Sequence, residues 1–155
     1  MISPEILRRY PFFGPFSDEQ LKAIAKIAAE AQADEGEELF EECNPAETLY
    51  LLIDGNIELY YKSEEEYHPK TSREFYVGGV NAGEVFAISS LIMPHVLNAT
   101  ARAAQASRFV KIDAKALREM FEEDPQMGYF AMHQLTKTIM ERLAYTRVQL
   151  AAAWA

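Results

Sequence analysis

The 155-residue chain has one cysteine, Cys43, and three histidines, His68, His95 and His133. A single thiol excludes an intramolecular disulfide and a cysteine-based metal cluster, and points to a reducing compartment. The histidines are scattered, without the close spacing of a zinc or cupin-type metal site, so no metal ligand set is expected. Basic residues are also scarce: 15 Lys and Arg stand against 24 Asp and Glu, a formal net charge of -9. Such a chain repels nucleic acid and anionic membrane surfaces, and no basic face is visible along it. No apolar run reaches the length of a membrane span, and the first residues lack a basic-then-apolar secretion pattern. The expected setting is the cytoplasm, with neither membrane nor direct nucleic-acid binding. What the chain has in quantity is apolar residues, 49% of the total, enough for one core in a single domain over 1–155.

Ser3 and Pro4 read as the cap and first residue of a short helix to about Arg9, broken by Pro11 and Gly14-Pro15. Ser17 and Gln20 form a capping box ahead of Leu21, Ile24, Ala25, Ile27 and Ala28, spaced as one helical stripe. From Ala33 the period falls to about two. Leu39-Phe40 is a short strand, Asn44-Pro45 a turn, and Leu49 to Ile53 a buried strand. Asp54-Gly55 is the dipeptide of a tight hairpin into alternating Ile57, Leu59 and Tyr61. The charged segment 63–72 reads as a mobile hairpin tip, Phe75 to Val80 as the returning strand, and Gly78-Gly79 as a bulge or bend. Phe109, Val110 and Ile112 form a last strand. Asp113 caps a helix through Leu117 and Phe121, and Asp124-Pro125 opens a longer one that runs to the end.

Between the last strands lies Gly83-Glu84-Val85-Phe86-Ala87-Ile88-Ser89-Ser90-Leu91, then Pro94, then alternation from Ala99 to Ala103. A short helix after a glycine points unpaired amides outward, and those can hold an anion. Glu84 can accept hydrogen bonds from sugar hydroxyls, or it can cap its own turn.

These residues resemble the phosphate-binding cassette of the cyclic nucleotide-binding domain family: Gly83, Glu84, Ala87 and Leu91 fit its pattern. Gly36-Glu37-Glu38-Leu39-Phe40, Asn44-Pro45, Leu49 to Leu52 and Gly55 resemble the family's opening strands and glycine turns. The resemblance implies a mainly β fold with flanking α: an antiparallel double-stranded β-helix, or jelly-roll-like β-roll. N-terminal helices would cover 1–29, the roll 30–113 with its cassette at 83–103, and C-terminal helices 114–155. It implies a non-catalytic regulatory or sensor module with cyclic AMP or cyclic GMP, or another small anion, as ligand. Glu84, following the motif's Gly83, would be the ribose acceptor, and the backbone of Phe86 and Ala87 would donate to the phosphate. Leu97 and Asn98 fall where the family places an arginine and its neighbour, and Thr146 and Arg147 on the last helix fall where the base is met. With Leu97 in place of the arginine, binding is expected to be weak. Arg102 and His95 are possible substitutes, with an outward strand residue and an exposed loop histidine as their plainer readings. The alternative function is a degenerate member, a dimerisation or protein-docking module whose pocket is filled by side chains such as Leu97. No nucleophile with a positioned base is present, so no catalytic residue is expected.

Along the last helix Met132, Thr136, Ile139, Leu143, Thr146, Leu150 and Ala153 alternate in steps of four and three, the spacing of a coiled-coil seam, with Met140, Ala144 and Val148 beside it. A homodimer through this helix is one reading, and a single wide core face is the other. Output through a protein partner is expected.

Overall fold

The computed structural model describes residues 2–65 and 68–155. Two short N-terminal helices, α1 (Pro4–Arg8) and α2 (Asp18–Lys26), lead into eight strands: β1 (Ala28–Ala33), β2 (Glu38–Phe40), β3 (Thr48–Asp54), β4 (Ile57–Glu65), β5 (His68–Val80), β6 (Val85–Phe86), β7 (Thr100–Ala103) and β8 (Ser107–Asp113). Helices α3 (Ala114–Glu123) and α4 (Pro125–Ala153) follow. The strands make two antiparallel four-stranded sheets, ordered β1-β8-β3-β6 and β2-β7-β4-β5. This is the double-sheeted roll with flanking helices and a long last helix.

The first sheet is a partition, which is why β3 is apolar without a break from Leu49 to Ile53. Leu49 and Leu51 of β3, Val85 of β6, and Val110 and Ile112 of β8 face the helices, packing with Phe13, Leu21, Leu117, Ala131 and Leu135. Their neighbours Tyr50, Leu52, Phe86 and Phe109 face the roll interior with Ile57, Leu59 and Ala101 of the second sheet. A strand covered on both faces reads as a continuous apolar run. Inside the roll, Tyr50 stacks on Phe86 with ring centroids 4.9 Å apart, and Phe40 lies 5.4 Å from Tyr50.

Ser3 stands at the N-cap of α1, with Pro4 first in the helix, but its side chain makes no capping bond; the other capping signals hold. Ser17 Oγ accepts from the Gln20 amide while Gln20 Oε1 accepts from the Ser17 amide. Asp113 accepts from Ala116 and Asp124 from Met127 at the starts of α3 and α4. Gln20 Nε2 also donates to Asp124 Oδ2 at 2.8 Å, joining the start of α2 to the start of α4.

Three sequence expectations are corrected. The helix predicted through Ala28 stops at Lys26, and Ala28 begins β1, paired with Ile112. Ala28–Ala33 has little β propensity of its own, and its pairing with β8 decides its conformation. The strand predicted from Phe75 starts at His68, so most of the expected tip at 63–72 is ladder; Glu66 and Tyr67 of that tip lie outside the described residues. The expected bulge is present: Leu59 pairs with Gly78 and Tyr60 with Tyr76, which leaves Val77 as the extra residue.

The third correction concerns Asp54-Gly55. It does not join a hairpin, because β3 pairs with β8 and β6 while β4 pairs with β5 and β7. The turn is a corner between sheets. Gly55 has φ +109°, and a Cβ there would lie 2.7 Å from the Ser107 Cα. Left-handed backbone costs a side chain about 1–2 kcal/mol, and the clash with the Ser107 backbone adds to that. Gly55→Ala is expected to destabilise the fold by about 2 kcal/mol or more, read as a lower urea midpoint at unchanged slope. An unchanged midpoint would mean that this corner relaxes freely.

Candidate functional site

The cassette begins at a turn closed twice by Glu84. Its amide donates to the Asn81 carbonyl at 3.1 Å, and its Oε1 accepts from the Asn81 amide at 2.7 Å. The self-capping role therefore exists in the structure, occupying one carboxylate oxygen. Gly83 at φ +92° donates to Leu52, and Leu52 donates to the Glu84 carbonyl, which anchors the turn to β3. After β6, Ala87 at φ +59° reverses the chain into a 3-10 turn over Ile88–Leu91.

Two arginines from the C-terminal helices hold this element from outside. Arg142 Nη2 of α4 donates to the Val85 carbonyl at 2.9 Å, and Arg118 of α3 donates to the Ser90 carbonyl. Burial pushes the Arg142 guanidinium below its ordinary value, and the nearby Glu84 charge opposes that shift. It stays a cation at neutral pH, since arginine starts far above that range.

Glu84, Asn81 and Arg142 share a cavity of about 310 Å³ with Asn56 and Leu59 of β4, the bulged 76–79 segment of β5, and Glu141 and Tyr145 of α4. The cavity lies between the second sheet, the cassette turn and α4. Burial first, and then the neighbouring Tyr145 phenol, raises the pKa of the Tyr76 hydroxyl.

The structure gathers some expected residues here and not others. Glu84 lines the cavity, and Gly83 lines a smaller cleft of about 180 Å³ that shares Glu84 and Glu141 with it. Phe86, Ala87 and Leu97 are buried in the roll interior, outside the lining, with Leu97 only 6% exposed. Asn98, Thr146 and Arg147 are exposed and outside the lining too. Arg102 is held on the sheet surface by both carboxylate oxygens of Glu74, at 2.6 and 2.7 Å, and lies 4.9 Å over the Tyr60 ring. His95 is half-buried, at φ +58°.

Sequence reasoning missed Arg142, Tyr145, Tyr76 and Asn81. A signal for the first two existed. The inward residues of α4, Met127, Ala131 and Leu135, continue at helical steps through Thr138 to Arg142 and Tyr145. Among the described residues, no group of three or more His, Cys, Asp or Glu is placed to hold a metal ion, and no helix is long and apolar enough to cross a membrane.

Comparison with known proteins gives the family. The profile of the family described as "Cyclic nucleotide-binding domain" matches residues 30–124, from β1 to the start of α4. The chain belongs to the cyclic nucleotide-binding domain family. A similar solved structure of this family is a Geobacter metallireducens GS-15 protein whose name proposes cyclic nucleotide binding; it is 37% identical with a TM-score of 0.79, over 92% of this chain and 99% of that one. The fold is shared with a cyclic nucleotide-binding domain of Methylobacillus flagellatus KT, at 19% identity and TM-score 0.76 over 96% of this chain and 80% of that one. Among curated relatives, the CRP-like cAMP-activated global transcriptional regulator of Mycobacterium tuberculosis is 24% identical over 147 residues, 95% of this chain. This cyclic nucleotide-binding-type chain spans 61% of that regulator's length. These relatives are named as binding or regulatory proteins, not as enzymes.

Proposed function

We propose that the chain is a non-catalytic regulatory module of the cytoplasm that takes a cyclic nucleotide, cyclic AMP or cyclic GMP, weakly in the cavity between the cassette turn and α4. The observation that carries this reading is the pairing of Glu84 with Arg142 in one cavity, a hydroxyl acceptor beside a half-buried cation. Its volume of about 310 Å³ suits a small molecule. Weakness follows from the resemblance, which puts Leu97 where the family places an arginine, and from a lining whose one cation is Arg142. A charge-assisted contact is worth about 1.5–3 kcal/mol, so its absence costs roughly ten- to hundred-fold in affinity.

A second reading rests on the roll interior. Phe40, Tyr50, Phe86 and Leu97 fill the space between the sheets, which supports a docking or dimerisation module that binds no nucleotide. Either reading has output passing through a second copy, a protein partner, or both, with α4 as the contact surface. Titration calorimetry with cyclic AMP and cyclic GMP separates the two. Heat saturating at high micromolar to millimolar ligand is expected under the first, and none at millimolar ligand would favour the second.

Glu84→Ala tests the site itself. It should weaken cyclic nucleotide binding roughly ten- to hundred-fold by removing the acceptor. Glu84→Gln retains an oxygen for the Asn81 amide, so it separates lost ligand contacts from a loosened turn. Unchanged affinity in both variants would exclude Glu84 from the site.

A further inference from the structure

We infer that the ligand this cavity accepts best is an uncharged, hydroxylated ring compound, a nucleoside rather than its cyclic phosphate. The inference rests on the reading of this cavity as a ligand site and adds the chemical class. Two carboxylates, Glu84 and Glu141, line the cavity against one guanidinium, Arg142, so the lining sums to one negative charge. The chain's net charge of -9 adds a field of the same sign.

The positive charge present is already engaged. Arg142 donates to the Val85 carbonyl and lies close enough to Glu84 for their charges to interact. Arg102 is held by both oxygens of Glu74, and Lys137 lines the neighbouring cleft, which Glu84 and Glu141 also line. Position 97, which could point a cation inward, carries a leucine buried in the roll.

A phosphate oxygen only accepts hydrogen bonds; the Asn56 and Asn81 amides, the tyrosine hydroxyls and the remaining N–H groups of Arg142 could donate to it, but Glu84 and Glu141 beside it offer no donor and a repelling charge that a neutral ligand does not meet. Sugar hydroxyls donate. Glu84, Glu141 and the side-chain carbonyls of Asn56 and Asn81 offer acceptors to them, while Leu59, Val77 and the two tyrosine rings offer apolar surface to a planar base.

The test is titration calorimetry on the whole chain, with adenosine against cyclic AMP and guanosine against cyclic GMP, each at low and high salt. For the preferred base, the nucleoside should bind as tightly as the cyclic nucleotide or more tightly, and any gap should narrow at high salt as the repulsion is screened. Glu141→Gln should shift the preference toward the cyclic nucleotide. A cyclic nucleotide that binds about tenfold or more tightly than its nucleoside overturns the inference and leaves the proposed function standing. Failure of all four compounds to bind at millimolar concentration overturns both.

Discussion

Leu97→Arg is expected to lower the midpoint of thermal unfolding without ligand, and cyclic AMP or cyclic GMP is expected to recover part of the loss. The leucine sits in an apolar cluster with Phe86, Ala87 and Ala101. Burying an unpaired charge there costs about 3–5 kcal/mol. At about 2–4 °C per kcal/mol for a chain of this size, the fall is roughly 6–20 °C. A cyclic phosphate reaching the interior would pair the new guanidinium, and ligand that binds only the native state raises stability by mass action. Scanning fluorimetry of parent and variant, each with cyclic nucleotide and with nucleoside, reads both effects. The rescue should be specific to the phosphate. A variant as stable as the parent would show that the side chain escapes to solvent. A destabilised variant that no cyclic nucleotide rescues would show that the roll interior of this chain no longer admits a phosphate.

What was legible in the sequence divides by the range of the interaction involved. Caps are local, so Ser17 with Gln20, Asp113, and Asp124 with Pro125 could be read directly, and each begins its helix. Glycine conformations are also local: Gly36, Gly55 and Gly83 all have positive φ. Their partners are not local, and this is why Asp54-Gly55 looked like a hairpin while turning a corner between sheets. Ala28–Ala33 shows the same limit from the other side. Nothing in four alanines, a glutamate and a glutamine favours a strand until β8 lies beside them.

The candidate site was half legible for a related reason. Glu84 stands in a short motif whose geometry is set by Gly83 and the Asn81 turn, so its place at the cavity could be read from the motif. Which α4 residues reach that cavity depends on how the helix lies across the roll. Thr146 and Arg147 follow from the family resemblance, whereas the lining residues Arg142 and Tyr145 lie on the face of the helix that continues from Leu135. A match that follows the buried face of the helix carries this information better than one that follows residue identity.

Leu143→Glu is expected to split a homodimer into folded monomers, and the exposed face of α4 is the reason to expect the homodimer. Beyond Leu135 the helix buries little in its own chain: Ile139, Leu143 and Leu150 are 45%, 47% and 59% exposed, and Met140 and Val148 are more exposed still. Apolar surface in that quantity along one helix marks a contact surface. Thr136 and Thr146 fall on the same seam, and their hydroxyls donate to the carbonyls of Met132 and Arg142 one turn back, at 2.7 and 2.9 Å. With those hydroxyls satisfied within the helix, the threonine methyls can face a partner without leaving a donor unpaired. Exchanging a leucine for a glutamate in each copy removes apolar burial from both and sets like charges together, costing roughly 3–6 kcal/mol of association. That is about a hundred- to ten-thousand-fold in the dimer dissociation constant. Because Leu143 is half exposed within its own chain, monomer stability should change by only about 0.5 kcal/mol. Sedimentation of parent and variant across micromolar concentrations, with circular dichroism of both, measures each quantity. A parent that is already monomeric throughout, or a variant that unfolds instead of dissociating, would assign this stripe a role other than a seam between two copies.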